Sequence, residues 1–139
     1  MISRLASAFS SRLPTSLSFA LLCTTASSSN PSPAQLQKMS VKQVVEDAIA
    51  DNKVAIFSKS WCPYCKKVKA LFNAEFPDVK ATIYELDERE DGAAIQDYLY
   101  QKTGQRTVPN VFINKEHIGG SDDTAAAFKG GKLTALIKA

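Results

Sequence analysis

The sequence predicts an α/β protein with a four-stranded mixed sheet covered by helices on both faces. Three observations carry this. Short apolar runs of strand length alternate along the chain with stretches whose apolar residues recur at helical spacing. The 139 residues carry no internal repeat and no second candidate core, so one domain accounts for the ordered part. A strand–helix–strand alternation implies parallel pairing through crossovers, while a tight turn late in the chain adds an antiparallel pair.

The elements follow in order. Ser40-Val41-Lys42-Gln43 has the S-x-x-Q pattern of a capping box, and Val41, Val44, Val45, Ala48 and Ile49 recur behind it, which predicts a helix over 41–51. Lys53–Ser58 is an apolar run of strand length. Cys62-Pro63 follows; proline suits the first turn of a helix, and Val68, Leu71 and Phe72 mark its inner face over 63–75. Residues 81–86 form a second strand. Asp91 or Gly92 opens a third helix with Ile95, Tyr98 and Leu99 inward and Gly104 past its end. Val111–Ile113 is a third strand, turned by Asn114-Lys115 into a short antiparallel partner at His117-Ile118. Ser121 or Asp122 caps a helix running through Phe128, and a last helix spans 132–138 after Gly130-Gly131. Phe57, Phe72, Tyr84 and Phe112 are assigned to the core and His117 to the surface.

Composition separates residues 1–38 from the domain over 40–139. The first 38 residues hold Arg4, Arg12 and Lys38 but no Asp or Glu, are rich in Ser and Thr, and include the Ser/Pro stretch 27–33. This reads as a disordered targeting extension of mitochondrial transit type. The competing reading is a secretory signal built on Leu17–Cys23. Spread arginines and the interruption at Ser18 count against it. Met39 is a candidate second start, which predicts a cytosolic form beside the mitochondrial one. The rest of the chain carries basic and acidic side chains in equal number, 14 of each, so the pI near 8.8 belongs to the extension. A neutral domain offers no electrostatic footprint for nucleic acid. No window is apolar for long enough to cross a membrane. The expectation is a monomer that engages neither.

Three cysteines are too few for a disulfide-stapled scaffold, but Cys62 and Cys65 form a C-x-x-C pair inside a β-α-β pattern, a thioredoxin-like redox signature. Cys62 falls at the predicted start of a helix, where unpaired N–H groups and the helix dipole favour a thiolate. Lys59, Lys66 and Lys67 add positive charge, with Lys59 and Lys66 expected to stabilise the thiolate. Cys65, one turn on, is expected to be the more buried sulfur, poised to resolve a mixed disulfide on Cys62. Half of a zinc site is the alternative, but four-coordinate zinc needs two more ligands. The chain offers only His117 and the distant Cys23.

Ser58-Lys59-Ser60-Trp61-Cys62-Pro63-Tyr64-Cys65 resembles the active-site segment of dithiol glutaredoxins, and Thr107-Val108-Pro109 and Gly119-Gly120-Ser121-Asp122-Asp123 match two further segments of that family. The resemblance spans about residues 40–139. It implies a thioredoxin-like fold and a glutathione-dependent thiol–disulfide oxidoreductase that serves cell redox homeostasis. It implies a cis bond before Pro109, and a backbone at Val108 that pairs with the cysteinyl part of glutathione. Lys59, Gln96 and Arg106 match positions that hold the glycine carboxylate. Ser121 and Asp122 match those at the γ-glutamyl end. Tyr64, Thr107 and Pro109 line the groove. Glutathione is then a co-substrate, no cofactor is tightly bound, and the protein partners are glutathionylated or disulfide-bonded proteins. Two rival readings remain at this stage. One is a subunit-bridging [2Fe–2S] protein, disfavoured by Pro63. The other is a thioredoxin served directly by a reductase, disfavoured by the charged and polar positions of the glutathione groove.

Overall fold

The computed structural model describes residues 32–139. Nine elements follow one another: α1 (Pro33–Asp51), β1 (Val54–Ser58), α2 (Pro63–Glu75), β2 (Ala81–Glu85), α3 (Gly92–Thr103), β3 (Asn110–Ile113), β4 (Glu116–Gly119), α4 (Ser121–Lys129) and α5 (Lys132–Lys138). The sheet order is β2-β1-β3-β4. β1 runs parallel to β2 and antiparallel to β3, and β4 returns antiparallel to β3. The fold class expected from the sequence is the one observed.

β1 is central and buried along its whole length, so its side chains feed two cores in alternation. Ala55 and Phe57 join Phe112 and the inner faces of α1 and α3, through Val41, Val45, Ile49, Ile95 and Leu99. Val54 and Ile56 join Val111, Ile113, the α2 residues Val68 and Phe72, and Leu133 and Ile137 of α5. Phe57 stacks on half-buried Tyr84 at 5.2 Å and meets Phe112 edge-on at 5.9 Å. Each such fully buried aromatic or branched side chain stabilises by about 1.5–3 kcal/mol.

The start of α1 differs from expectation. The helix begins at Pro33, not near residue 41, with Ser32 as N-cap and Gln35 completing the capping box. Proline at the first helical position makes this the earlier start, and Ser40 lies mid-helix with its hydroxyl donating to Gln37 O at 2.7 Å. Residues 33–38, placed by composition in the extension, are therefore helical. The remainder of the extension, with Cys23, the apolar run at 17–22 and most of the Ser/Pro stretch, lies outside the described residues. Among the described residues, no helix is long and apolar enough to cross a membrane.

α3 opens where expected, with Asp91 as N-cap and Gly92 as its first residue, but Asp91 makes no cap bond, because Arg89 takes both its carboxylate oxygens at 2.8 and 2.7 Å. One cap is corrected. Gly120, not Ser121 or Asp122, is the N-cap of α4, and its N–H donates to Asp123 Oδ2 at 3.0 Å. That leaves Ser121 and Asp122 in the first turn, free of a capping role.

Candidate active site

Strand register brings three segments to one end of the sheet. Phe57 pairs with Asn110, so the end of β1 meets the start of β3. Val111 pairs with Gly119, so the end of β4 arrives there too. The loop after β1 carries Lys59–Cys62, the loop before β3 carries Gln105–Pro109, and the turn after β4 opens α4.

The first loop is held by its own backbone and by Asp87. Cys62 N–H donates to Lys59 O at 3.1 Å, and Leu86 N–H donates to Ser58 O at 2.8 Å. Ser60 gives its N–H to Asp87 Oδ1 at 2.9 Å and its hydroxyl to Oδ2. The Ser60 hydroxyl, then its N–H, hold the Asp87 carboxyl below its usual range. Sequence reading missed this clasp; the available signal was an acid directly after the strand that pairs with β1.

Cys62 is the N-cap of α2 with Pro63 in its first turn, so its sulfur lies where the helix has unpaired N–H groups. Cys62 is 5 % exposed and Cys65 fully buried, which is the asymmetry expected one turn apart. Both thiols are free. Their environments drive them in opposite directions. Burial raises the Cys62 pKa, but the N–H and thiol of Cys65, the N–H of Tyr64 and the charge of Lys59 outweigh it, and the net direction is down. For Cys65 burial dominates and the pKa goes up, against the Lys59 N–H and the Ser58 hydroxyl. Lys59 is thus the lysine that lowers Cys62; Lys66 is exposed on the first turn. The Cys62 thiol donates to Val108 O over 3.9 Å, tying the nucleophile to the second loop.

That second loop contains the expected cis Val108–Pro109 bond. Gly104 ends α3 in a left-handed conformation, φ 76°, that favours glycine. Gln96 Nε2 then donates to Arg106 O at 2.6 Å, and Gln105 Nε2 donates to Thr107 O at 3.2 Å and to Pro109 O at 2.9 Å. Asn110, 1 % exposed, donates to Gln105 O at 3.5 Å and accepts from His117 Nε2 at 2.8 Å. His117 is therefore not the surface residue expected. It is half-buried against Phe112, ring centroids 5.1 Å apart, and its burial lowers its pKa against the pull of Asp123. Gln105, Asn110 and His117 form a polar chain behind the loop that the sequence did not announce.

The expected glutathione positions are partly engaged. Arg106 pairs with Asp97 at 2.6 Å and lies over the Tyr100 ring at 5.9 Å. Gln96 spends a donor on the loop backbone, and Lys59 lies over exposed Trp61 at 5.8 Å. Tyr64 is exposed, with Lys67 over its ring at 5.4 Å. A Cβ at Gly120 would sit 3.8 Å from Pro109 O and 3.5 Å from Gln105 Nε2, so the start of α4 abuts the cis-proline loop and brings Ser121 and Asp122 beside it. A separate cleft of about 650 Å³ between α1 and α3, with Val41, Glu90 and Tyr98 in its lining, holds none of the expected site residues. That cleft has no thiol in its lining, and the C-x-x-C pair lies elsewhere.

Comparisons with known proteins agree with this geometry. The glutaredoxin family model matches residues 54–118. Glutaredoxin-1 of Rhizophagus irregularis is 52 % identical over 99 residues, covering 71 % of this chain and 96 % of the relative. Glutaredoxin-C4 of Arabidopsis thaliana is 53 % identical over 93 residues, covering 67 % of each chain. Among solved structures, a buckwheat glutaredoxin–glutathione complex superposes with a TM-score of 0.71 at 40 % identity, covering 76 % of this chain and 94 % of that one. With a dithiol pair at a helix start, a cis-proline loop against it and relatives of this similarity, the chain belongs to the glutaredoxin family of glutathione-dependent thiol oxidoreductases.

Proposed function

We propose that the protein reduces protein–glutathione mixed disulfides through Cys62 alone, and protein disulfides through Cys62 and Cys65 together. The observation that carries this reading is the opposite treatment of two sulfurs one helical turn apart. One has a lowered pKa at a helix start, and the other is shut in with a raised one.

In the first route the Cys62 thiolate attacks the glutathionyl sulfur of a mixed disulfide. A new bond forms between Cys62 and glutathione, and the target leaves as its thiolate. A second glutathione thiolate attacks the glutathione sulfur on Cys62. It forms glutathione disulfide and returns the electron pair to Cys62. In the second route Cys65 closes onto a Cys62–target disulfide, and two glutathiones reopen the pair.

Glutathione is the co-substrate in both. Val108 offers its backbone, and its C=O is vacated by the Cys62 thiol on ionisation. Lys59, Gln96 and Arg106 face the glycine carboxylate, which competes with Asp97 for Arg106. Ser121 and Asp122 take the γ-glutamyl end, where the helix start favours the carboxylate. Tyr64, Thr107 and Pro109 complete the walls. The glutathione named in the buckwheat complex supports glutathione as the co-substrate.

The test is a pair of variants. Cys65→Ser keeps deglutathionylation and loses dithiol reduction, whereas Cys62→Ser loses both. A Cys62→Ser protein that still reduced a glutathione mixed disulfide at the parent rate would refute the reading.

A further inference from the structure

The β1–α2 interface ends in a pair of polar side chains that the disulfide chemistry above leaves without a stated job. Along β1, Val54 and Ile56 face the core shared with α2, and Ser58 is the next residue on that side. Along α2, Phe72 and Val68 face the same core, and Cys65 is one turn before Val68. The two rows run against each other, so Ser58 and Cys65 are their terminal pair, each fully buried. Ser58 C=O accepts from Leu86 N–H; its hydroxyl makes no hydrogen bond of ordinary geometry in the resting state, yet lies near enough to Cys65 to pull that pKa down against burial. A buried hydroxyl without a partner costs about 1–3 kcal/mol, and native structures retain few of them.

We propose that the Ser58 hydroxyl is the donor that receives the Cys65 thiolate when the Cys62–Cys65 disulfide is opened by glutathione. In that step the glutathione sulfur forms a bond to Cys62 Sγ, the accessible one of the pair. The Cys62–Cys65 bond breaks and its electron pair goes to Cys65 Sγ. No proton moves in the step; Cys65 is protonated afterwards. A thiolate released into an apolar interface needs a donor at the moment charge develops, and a hydroxyl with no other partner swings to it without breaking an existing bond. The Lys59 N–H lies on the same sulfur and supplies a second donor. The unmet hydrogen bond of the resting state is thus met in the state where it speeds the reaction.

This inference rests on the glutathione-dependent dithiol route, and the experiment separates the two. Ser58→Ala is made in the full chain carrying Cys23→Ser. In the oxidised protein, reduction by glutathione slows about fivefold, the effect of losing a hydrogen bond to a partly developed charge. The ratio of dithiol to monothiol turnover falls by the same factor. With Cys62→Ser added, Cys65 is the only thiol, and its ultraviolet titration moves further upward. The melting temperature does not fall, because the hydroxyl removed had no partner. An unchanged Cys65 titration overturns the proposal. A lower melting temperature with both routes slowed equally also overturns it, because Ser58 is then a structural residue. Should neither protein be reduced by glutathione, the proposed function fails, and the Cys65 titration alone still decides the role of Ser58.

Discussion

Gln105 is the side chain on which the cis-proline loop most depends, and Gln105→Met isolates its contribution. The replacement keeps length and bulk but removes the Nε2 donor that serves Thr107 O at 3.2 Å and Pro109 O at 2.9 Å. The bond from Asn110 to the Gln105 backbone oxygen needs no side chain and survives. Two lost bonds at about 1 kcal/mol each amount to about 2 kcal/mol. If about half of this is recovered only when glutathione orders Val108 between those two carbonyls, KM for glutathione rises about fivefold. The groups that lower the Cys62 pKa are in α2 and at Lys59, so kcat at saturating glutathione and the Cys62 pKa stay at their parent values. Steady-state deglutathionylation across a glutathione series reads both parameters. An unchanged KM with a lowered melting temperature would refute the reasoning, since the loop would then be held without bearing on the groove. A reduced kcat with a raised Cys62 pKa would refute it in another way.

Gly92→Ala places a Cβ 1.7 Å from Leu86 O, a clash with backbone that no side-chain rearrangement relieves. A loss of about 3 kcal/mol in urea unfolding is expected, and a loss under about 1 kcal/mol would show that α3 shifts freely. His117 has a lowered pKa in the fold relative to its ordinary value of 6.5, so the unfolded chain binds its proton first as pH falls. The stability linked to neutral His117 is present above that value and is lost as pH drops through the folded pKa. His117→Gln keeps a donor for Asn110 and removes this loss. The gap between neutral and mildly acidic urea midpoints therefore narrows, and an unchanged gap would contradict the assignment. We propose, from composition alone, that residues 1–38 direct the chain to mitochondria; fused to a fluorescent reporter they are expected to carry it there, and a secreted or diffuse reporter would sink that proposal.

What the sequence made legible is what short range determines. Proline after Cys62, the apolar spacing of Val68 and Phe72, and the alternation along β1 each act within a turn or a strand, and all three appear where expected. The burial order of the cysteines followed from helix geometry, whereas the cis bond before Pro109 was implied by the family resemblance. The features that escaped depend on distant pairing. His117 reads as an exposed turn residue until the β3–β4 register sets it on Phe112 and against Asn110. Asp87 reads as a solvated acid until β2 lies beside β1 and delivers it to Ser60. Arg106 reads as a free cation until α3 brings Asp97 to it. The early start of α1 was obscured because a capping serine followed by proline has the same composition as a linker.

The central claim is that Cys62, at the start of α2, ionises below its ordinary value while buried Cys65 ionises above its own. Alkylation of the reduced chain carrying Cys23→Ser, followed by mass spectrometry of each cysteine as pH is raised, measures this directly. The account predicts that Cys62 reacts first, with a midpoint below that of free cysteine, and that Cys65 stays unmodified well beyond it. Two sulfurs reacting together at the free-cysteine midpoint would contradict it.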